Sequence, residues 1–148
     1  KFLRNYVNIT PGMECGKNDK SVQHTLAPDL TPIVSGEGVK EFYIQSQGMF
    51  IKLGLEPLSR YKNPELFLNI PKLLIRFVAK YPIAAVDEHG YANFDTVYNT
   101  HPISKDPELC YKLVCILNSK IIRWWFLAAY NTDEPLFPSW VGLIGWIH

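Results

Sequence analysis

Ile116-Leu117-Asn118-Ser119-Lys120 drops a polar triplet into an otherwise apolar helical run, and how it is read decides where the C-terminal helices lie. Before it, Leu109, Leu113, Ile116 and Leu117 recur at helical spacing. After it, Ile121, Ile122, Trp125, Phe126 and Ala129 resume the rhythm in a new phase. Asn and Ser carry side-chain oxygens that can cap a fresh helix start, so the pattern predicts a break and a restart here. Lys120 then falls in the first turn of the second helix, where the helix dipole disfavours a cation. A positive charge kept beside exposed backbone amides points to a bound anion.

Working outward, Asp106-Pro107-Glu108 supplies a cap, a first-turn proline and an acid, the signature of a helix start. Asn63-Pro64-Glu65 repeats that signature and predicts a short helix over 64–68. Residues 73–78 form a short apolar run of the kind found in a central strand, interrupted by Arg76, which must leave the core or find a partner. Residues 83–86 and 91–98 flank Asp87-Glu88-His89-Gly90, which reads as a hairpin with its polar turn in solvent. Further upstream, residues 3–9 read as a strand, and 39–44 with 49–53 as a second hairpin. The tail from Pro135 has no helical period. The expected class is α+β: a mostly antiparallel twisted sheet with hairpins, plus a C-terminal broken helix or helical hairpin.

The 148 residues suit a single domain over 1–148 with a core of its own. Lysine at position 1 and the abrupt apolar end Gly145-Trp146-Ile147-His148 read as a fragment of a larger protein. An apolar content of 47% with 20% charged residues argues against disorder. No stretch reaches the roughly 20 apolar residues of a membrane span, and the N-terminus lacks a signal-peptide pattern. Cys15, Cys110 and Cys115 show no C-x-x-C spacing, so neither a disulfide framework nor a zinc site is indicated, which fits a reduced, cytoplasmic compartment. The net charge is only +1, but it is unevenly spread. Residues 1–80 hold 11 Lys/Arg against 7 Asp/Glu, while residues 81–148 hold 4 against 7. One half can therefore present a basic face, as nucleic-acid binding would require.

Few constellations propose chemistry. Asp87-Glu88-His89 has the residue types of acid–base catalysis, but no nucleophile accompanies it, and turn formation explains it better. Gly36-Glu37-Gly38 and the pair Gly12 and Gly16 do not match a phosphate loop, and read as turns needing positive φ. Lys17 and Lys40 nevertheless follow these glycines closely, placing charge beside backbone amides as a nucleic-acid backbone would favour. The histidines at 24, 89, 101 and 148 are scattered and propose no metal. Trp124-Trp125-Phe126 could stack on bases, though helical spacing favours a core role.

The ordered series Gly12-Met13-Glu14-Cys15-Gly16-Lys17-Asn18, then Gly36-Glu37-Gly38-Val39-Lys40-Glu41-Phe42-Tyr43, resembles the opening of TaqI-like specificity domains. These are the C-terminal target-recognition domains of restriction–modification enzymes. Pro64-Glu65-Leu66-Phe67, Pro71-Lys72-Leu73-Leu74-Ile75-Arg76, residues 85–98, the helix end over 113–120 and Phe137-Pro138 continue the likeness in order. Similar helix ends occur in the specificity subunits of type I systems. The resemblance implies recognition of a short double-stranded DNA sequence on behalf of an adjacent N-terminal adenine-N6 methyltransferase domain. A nuclease is fused to the same reader in some systems. The parent would use S-adenosylmethionine, and its nuclease Mg²⁺. This chain has neither a Phe-x-Gly-x-Gly loop nor a complete Asn-Pro-Pro-aromatic motif, since Glu65 replaces the second proline, so the fragment itself is expected to hold no cofactor and no catalytic residues.

Within that role, Lys17, Lys40, Lys72 and Lys120 are the expected contacts to backbone phosphates. Arg60, Tyr61, Lys62 and Asn63 are the expected base readers, because Arg suits guanine and Asn suits adenine. Two rivals remain: a protein–protein interaction domain using Trp124-Trp125-Phe126 and the Trp-rich tail, and a small enzyme built on Asp87 and His89. Replacing Arg60 in the intact enzyme is expected to change the set of methylated sites, and an unchanged set on methylation mapping removes Arg60 from base readout.

Overall fold

In the computed structural model, residues 5–54 and 63–129 are described. Their centre is β5 (Lys72–Arg76), whose apolar run Leu73-Leu74-Ile75 is buried on both faces. It is flanked by β6 (Ala84–Asp87) and β8 (Val97–Pro102), and β1 (Val7–Pro11) completes an antiparallel sheet in the order β1-β8-β5-β6. Alternation along the strands sends side chains to two different layers. Val7, Leu73, Ile75 and Ala84 pack with Cys110, Leu113, Val114, Leu117 and Phe126 of the C-terminal helices. Leu74, Ala85 and Val97 point the other way and meet Val34 and Val39. That second layer carries β2 (Val22–Gln23), β4 (Phe50–Ile51), β3 (Thr31–Val34) and β7 (Ala92–Asn93), joined in that order. The class is α+β, and among the described residues every strand pair but one is antiparallel; β3 and β7 run parallel.

Both expected hairpins are replaced by longer-range pairings. β6 pairs with β5 rather than with 91–98, so residues 88–91 carry the chain from one sheet to the other. β4 pairs with β2 and β3, while Val39 bridges only Ile44 across a tight loop. The short helix α1 (Glu65–Leu68) forms where its cap signature lies. In α2 (Pro107–Leu117), Asp106 caps the start by accepting from the Glu108 N–H at 3.0 Å. The helix stops at Asn118, and α3 (Lys120–Ala129) restarts as expected. Only Ser119 acts as a cap, accepting from the Ile122 N–H at 3.2 Å. Asn118 turns inward: its amide accepts from the Ala84 N–H at 2.9 Å and donates to the Ala84 carbonyl at 2.8 Å. That reciprocal pair satisfies the N–H and carbonyl of Ala84 on the outer edge of β6.

Two expectations about charge need correction here. Lys72 lies in the layer between the sheets with 0% exposure, so its ammonium does not reach the surface to meet a phosphate. Nor does Asp87 sit in solvent; it is buried opposite Lys72 in the β5–β6 register and ion-paired with it. The local turn chemistry matches the expectation, since Asp87 Oδ1 accepts from the His89 and Gly90 N–H groups at 2.9 and 3.0 Å. Its Oδ2 takes the Tyr91 N–H at 2.8 Å and the Lys72 ammonium. Lys72 also donates to the carbonyls of Phe67 in α1, at 2.5 Å, and Tyr91, at 3.1 Å. Burial holds the Lys72 ammonium below its ordinary range, opposed by the Asp87 charge.

Removing one member of such a pair leaves the other charged and buried, so Lys72→Met is expected to cost about 3–5 kcal/mol. Urea unfolding should show that cost, and a Lys72→Met/Asp87→Asn double variant should lose less than the two single losses combined. His101 supplies a pH test. Burial, helped by the nearby Lys72 charge, holds its imidazole below the ordinary 6.5. The folded state therefore binds fewer protons than the unfolded chain once the pH drops below about 6.5. Stability should be complete above that pH and decline as the pH falls toward the depressed folded value. His101→Gln should flatten this part of the profile in urea titrations run at several pH values.

Candidate nucleic-acid interface

Basic side chains gather where the loop after β1, the 3-10 turn Gly36–Gly38 and the end of β5 converge. A cleft of about 310 Å³ lies there, lined by Cys15, Lys17, Gly36, Glu37, Arg76 and Asp95 among others. Its walls are set by backbone bonds. Gly12 N–H donates to the Val97 carbonyl at 3.0 Å, Met13 N–H to Asn93 at 2.8 Å, and Asp95 N–H to Met13 at 2.8 Å. Gly36 N–H donates to Thr96 Oγ1 at 3.0 Å. Gly12, Gly36 and Gly38 serve close approach here rather than the positive φ expected of them, while Gly16 has open space around it and no positive φ. A Cβ on Gly12 would lie 2.3 Å from both the Asn93 amide and the Phe94 carbonyl, and one on Gly38 would lie 2.9 Å from Gln47 Oε1. Positive φ is confined, among the described glycines, to Gly48, Gly54 and Gly90.

The charges around the cleft are arranged about Glu37. Lys17 donates to its carboxylate at 2.6 Å on the exposed rim. That hydrogen bond, with the charges of Arg76 and Lys40 adding to it, holds the Glu37 carboxyl below its ordinary range. Of the two lysines expected on phosphates, Lys17 lines the cleft and Lys40 lies near enough for its charge to act on Glu37 without lining it, and the structure adds Arg76 at the cleft wall. Arg76 does leave the core: its Nε–H donates to the Val78 carbonyl at 2.8 Å, which anchors the guanidinium at the cleft. Among the described residues no ion pair engages Lys40. Burial, assisted by Asp19 and Asp95, raises the Cys15 thiol above its ordinary range, which keeps it protonated and weakly nucleophilic.

The other expected residues fall elsewhere. Lys120 is exposed at the first position of α3, apart from the residues that line the cleft. Lys72 is spent inside the fold, as described above. Asn63 is exposed, but its Oδ1 accepts from the Glu65 N–H at 3.0 Å, so its oxygen already serves as the cap of α1. Arg60, Tyr61 and Lys62 lie outside the described residues. Glu88 accepts from the Tyr111 hydroxyl, and His89 stacks beside Tyr91, so the Asp87-Glu88-His89 run is divided among structural contacts. Trp124-Trp125-Phe126 also divides: Phe126 enters the core, while Trp124 is 71% exposed. Among the described residues no group of three or more His, Cys, Asp or Glu side chains could hold a metal ion, and no helix is long and apolar enough to cross a membrane.

One part of this surface departs from the hairpin strand expected over 39–44. The loop between Val39 and Ile44 lies along the outer edge of β6, where the Phe42 N–H donates to the Ala84 carbonyl at 3.0 Å. Glu41 in this loop is paired with Arg123 of α3, whose guanidinium sits 3.9 Å from the centre of the Tyr81 ring. Lys40-Glu41-Phe42-Tyr43 reads as strand because its aromatic residues favour extended backbone, and only the folded register shows that it turns instead.

The chain matches the family model of the TaqI-like C-terminal specificity domain over residues 31–142. It belongs to that family. The match runs from β3 past the end of α3, so it takes in the Gly36–Gly38 turn, Lys40, Arg76 and the α2–α3 break, while β1 and the Lys17 loop precede it. No curated protein matches the chain. A TaqI-like specificity domain is a DNA sequence-specificity module of restriction–modification enzymes, and of the cations lining the cleft Arg76 lies within the matched residues.

Proposed function

We propose that this TaqI-like domain reads a short double-stranded DNA sequence for an adenine-N6 methyltransferase domain N-terminal to it in the same chain or complex. The family match over residues 31–142 carries this reading, and the grouping of Lys17, Lys40 and Arg76 supports it. In this reading Lys17, Lys40, Arg76 and Lys120 contact phosphates and set the register of the protein on the duplex. Lys17 would exchange its Glu37 partner for a phosphate, which is a small loss for an exposed pair. Base readout falls to Arg60, Tyr61 and Lys62, since the Asn63 oxygen caps α1. The domain itself performs no chemistry. The parent enzyme takes S-adenosylmethionine, with Mg²⁺ where a nuclease is fused, and works in the cytoplasm as a type IIG enzyme. A type I specificity subunit is the alternative setting for the same reader.

A second reading is favoured by one observation. Ile121 and Trp124 are 76% and 71% exposed on α3, so this helix could dock a protein instead. Salt dependence separates the two. Duplexes selected from a randomised pool by the intact protein should share a recurrent sequence, and their binding should weaken steeply as salt rises. Lys40→Ala and Arg76→Ala should each reduce the slope of log K against log salt by about 1, across all sequences. A pool that yields no recurrent sequence, with no salt-dependent binding, overturns the DNA reading and leaves the docking reading.

A further inference from the structure

Phe42 has φ of +71°, a left-handed backbone that bulky side chains rarely adopt. Such strain persists only where the surroundings impose it, and it concentrates at working sites. Here it is imposed from several sides. The Phe42 N–H is held by Ala84, the Lys40 N–H donates to the Tyr43 carbonyl at 3.0 Å, and Val39 is buried at the base. Glu41 is tied to Arg123, which is itself stacked on Tyr81. The result is that two successive rings stand in solvent, Phe42 at 57% and Tyr43 at 58% exposure. Folding gains little from rings left in water, and Gly or Asn at position 42 would remove the strain.

What surrounds the rings indicates what they meet. A protein-docking patch has contiguous apolar neighbours at its centre. Along the chain this pair is instead flanked by Lys40 and Glu41 on one side and, past the half-buried Ile44, by the exposed polar residues Gln45 and Ser46 on the other. The one acid in the loop, Glu41, is neutralised by Arg123. Lys40 also belongs to the cation group around Glu37. A rigid aromatic tip with cations beside it suits a partner that has flat stacking faces next to anionic phosphates.

We infer that Phe42 and Tyr43 form a pre-set aromatic wedge that stacks against a base step of bound duplex DNA, with Lys40 on the adjoining phosphate. The inference rests on the DNA reading above. Its test uses the intact protein and the duplex that this protein selects from a randomised pool, with 2-aminopurine substituted at one position at a time. Phe42→Gly and Tyr43→Ala should each weaken binding about tenfold, in line with the loss of one stacked base. The salt slope should stay unchanged, because stacking releases no counterions. The fluorescence response of 2-aminopurine at one step should vanish in both variants. Phe42→Gly should melt no lower than the wild type, which separates loss of the ring from loss of the fold. Wild-type affinity in both variants, or weakened binding with the 2-aminopurine response intact, overturns the wedge while the DNA reading stands. Failure of the unaltered protein to bind any duplex overturns both.

Discussion

The two sheets are joined by a charge. Lys72 and Asp87 sit opposite each other on β5 and β6, yet their bonds run outward to α1 and to the segment entering β7. All three ammonium protons have acceptors, and the carboxylate accepts three backbone N–H groups besides. A buried pair is tolerable only when satisfied to this degree. The apolar cluster between the sheets is small, namely Val34, Val39, Leu74, Ala85 and Val97 among the described residues. Shape complementarity there fixes the distance between the layers, whereas the ion pair, being directional, fixes their lateral position. The cleft depends on that position, because Arg76 comes from one sheet and the Gly36–Gly38 turn follows a strand of the other.

The helical layer is held differently. Leu113, Val114, Leu117 and Cys110 give α2 an apolar seam against the first sheet. Burial pushes the Cys110 thiol up to about 11, so this sulfur packs as an apolar group. A seam of that kind tolerates sliding, and the Asn118 amide prevents it. Its bond pair to Ala84 binds the helix end to one residue of one strand. The Ala84 carbonyl also accepts from Phe42, so the helix break, the sheet edge and the aromatic loop meet at a single peptide group.

What the sequence disclosed was local. Asp106-Pro107-Glu108, Asn63-Pro64-Glu65 and Asn118-Ser119 all mark helix boundaries through bonds spanning a few residues, and all three do so in the fold. The apolar run of β5 was legible as central because nothing polar breaks it before Arg76. What stayed hidden depends on distant partners. Asp87 shapes its turn as its neighbours imply, but its burial follows from Lys72, fifteen residues away. β3 and β7 pair across some sixty residues, and no periodicity encodes that choice. Of the expected phosphate contacts, Lys17 and Lys40 both act on Glu37 while Lys72 is withdrawn, and these three lysines look alike in the sequence. Phe42 and Tyr43 carry the pattern of a hairpin strand, so the backbone strain at Phe42 could not be read from residue types.

The double tie at Asn118 also constrains how the chain can vary in length. The helix is fixed at its start by the Asp106 cap, along its side by the apolar seam and at its end by Ala84. One inserted residue would turn everything beyond it by about 100° and advance it by about 1.5 Å. The seam and the amide could then no longer both meet the sheet. α2 is therefore a ruler of set length, and insertions or deletions in this family should collect in the connections between the elements and spare residues 107–117.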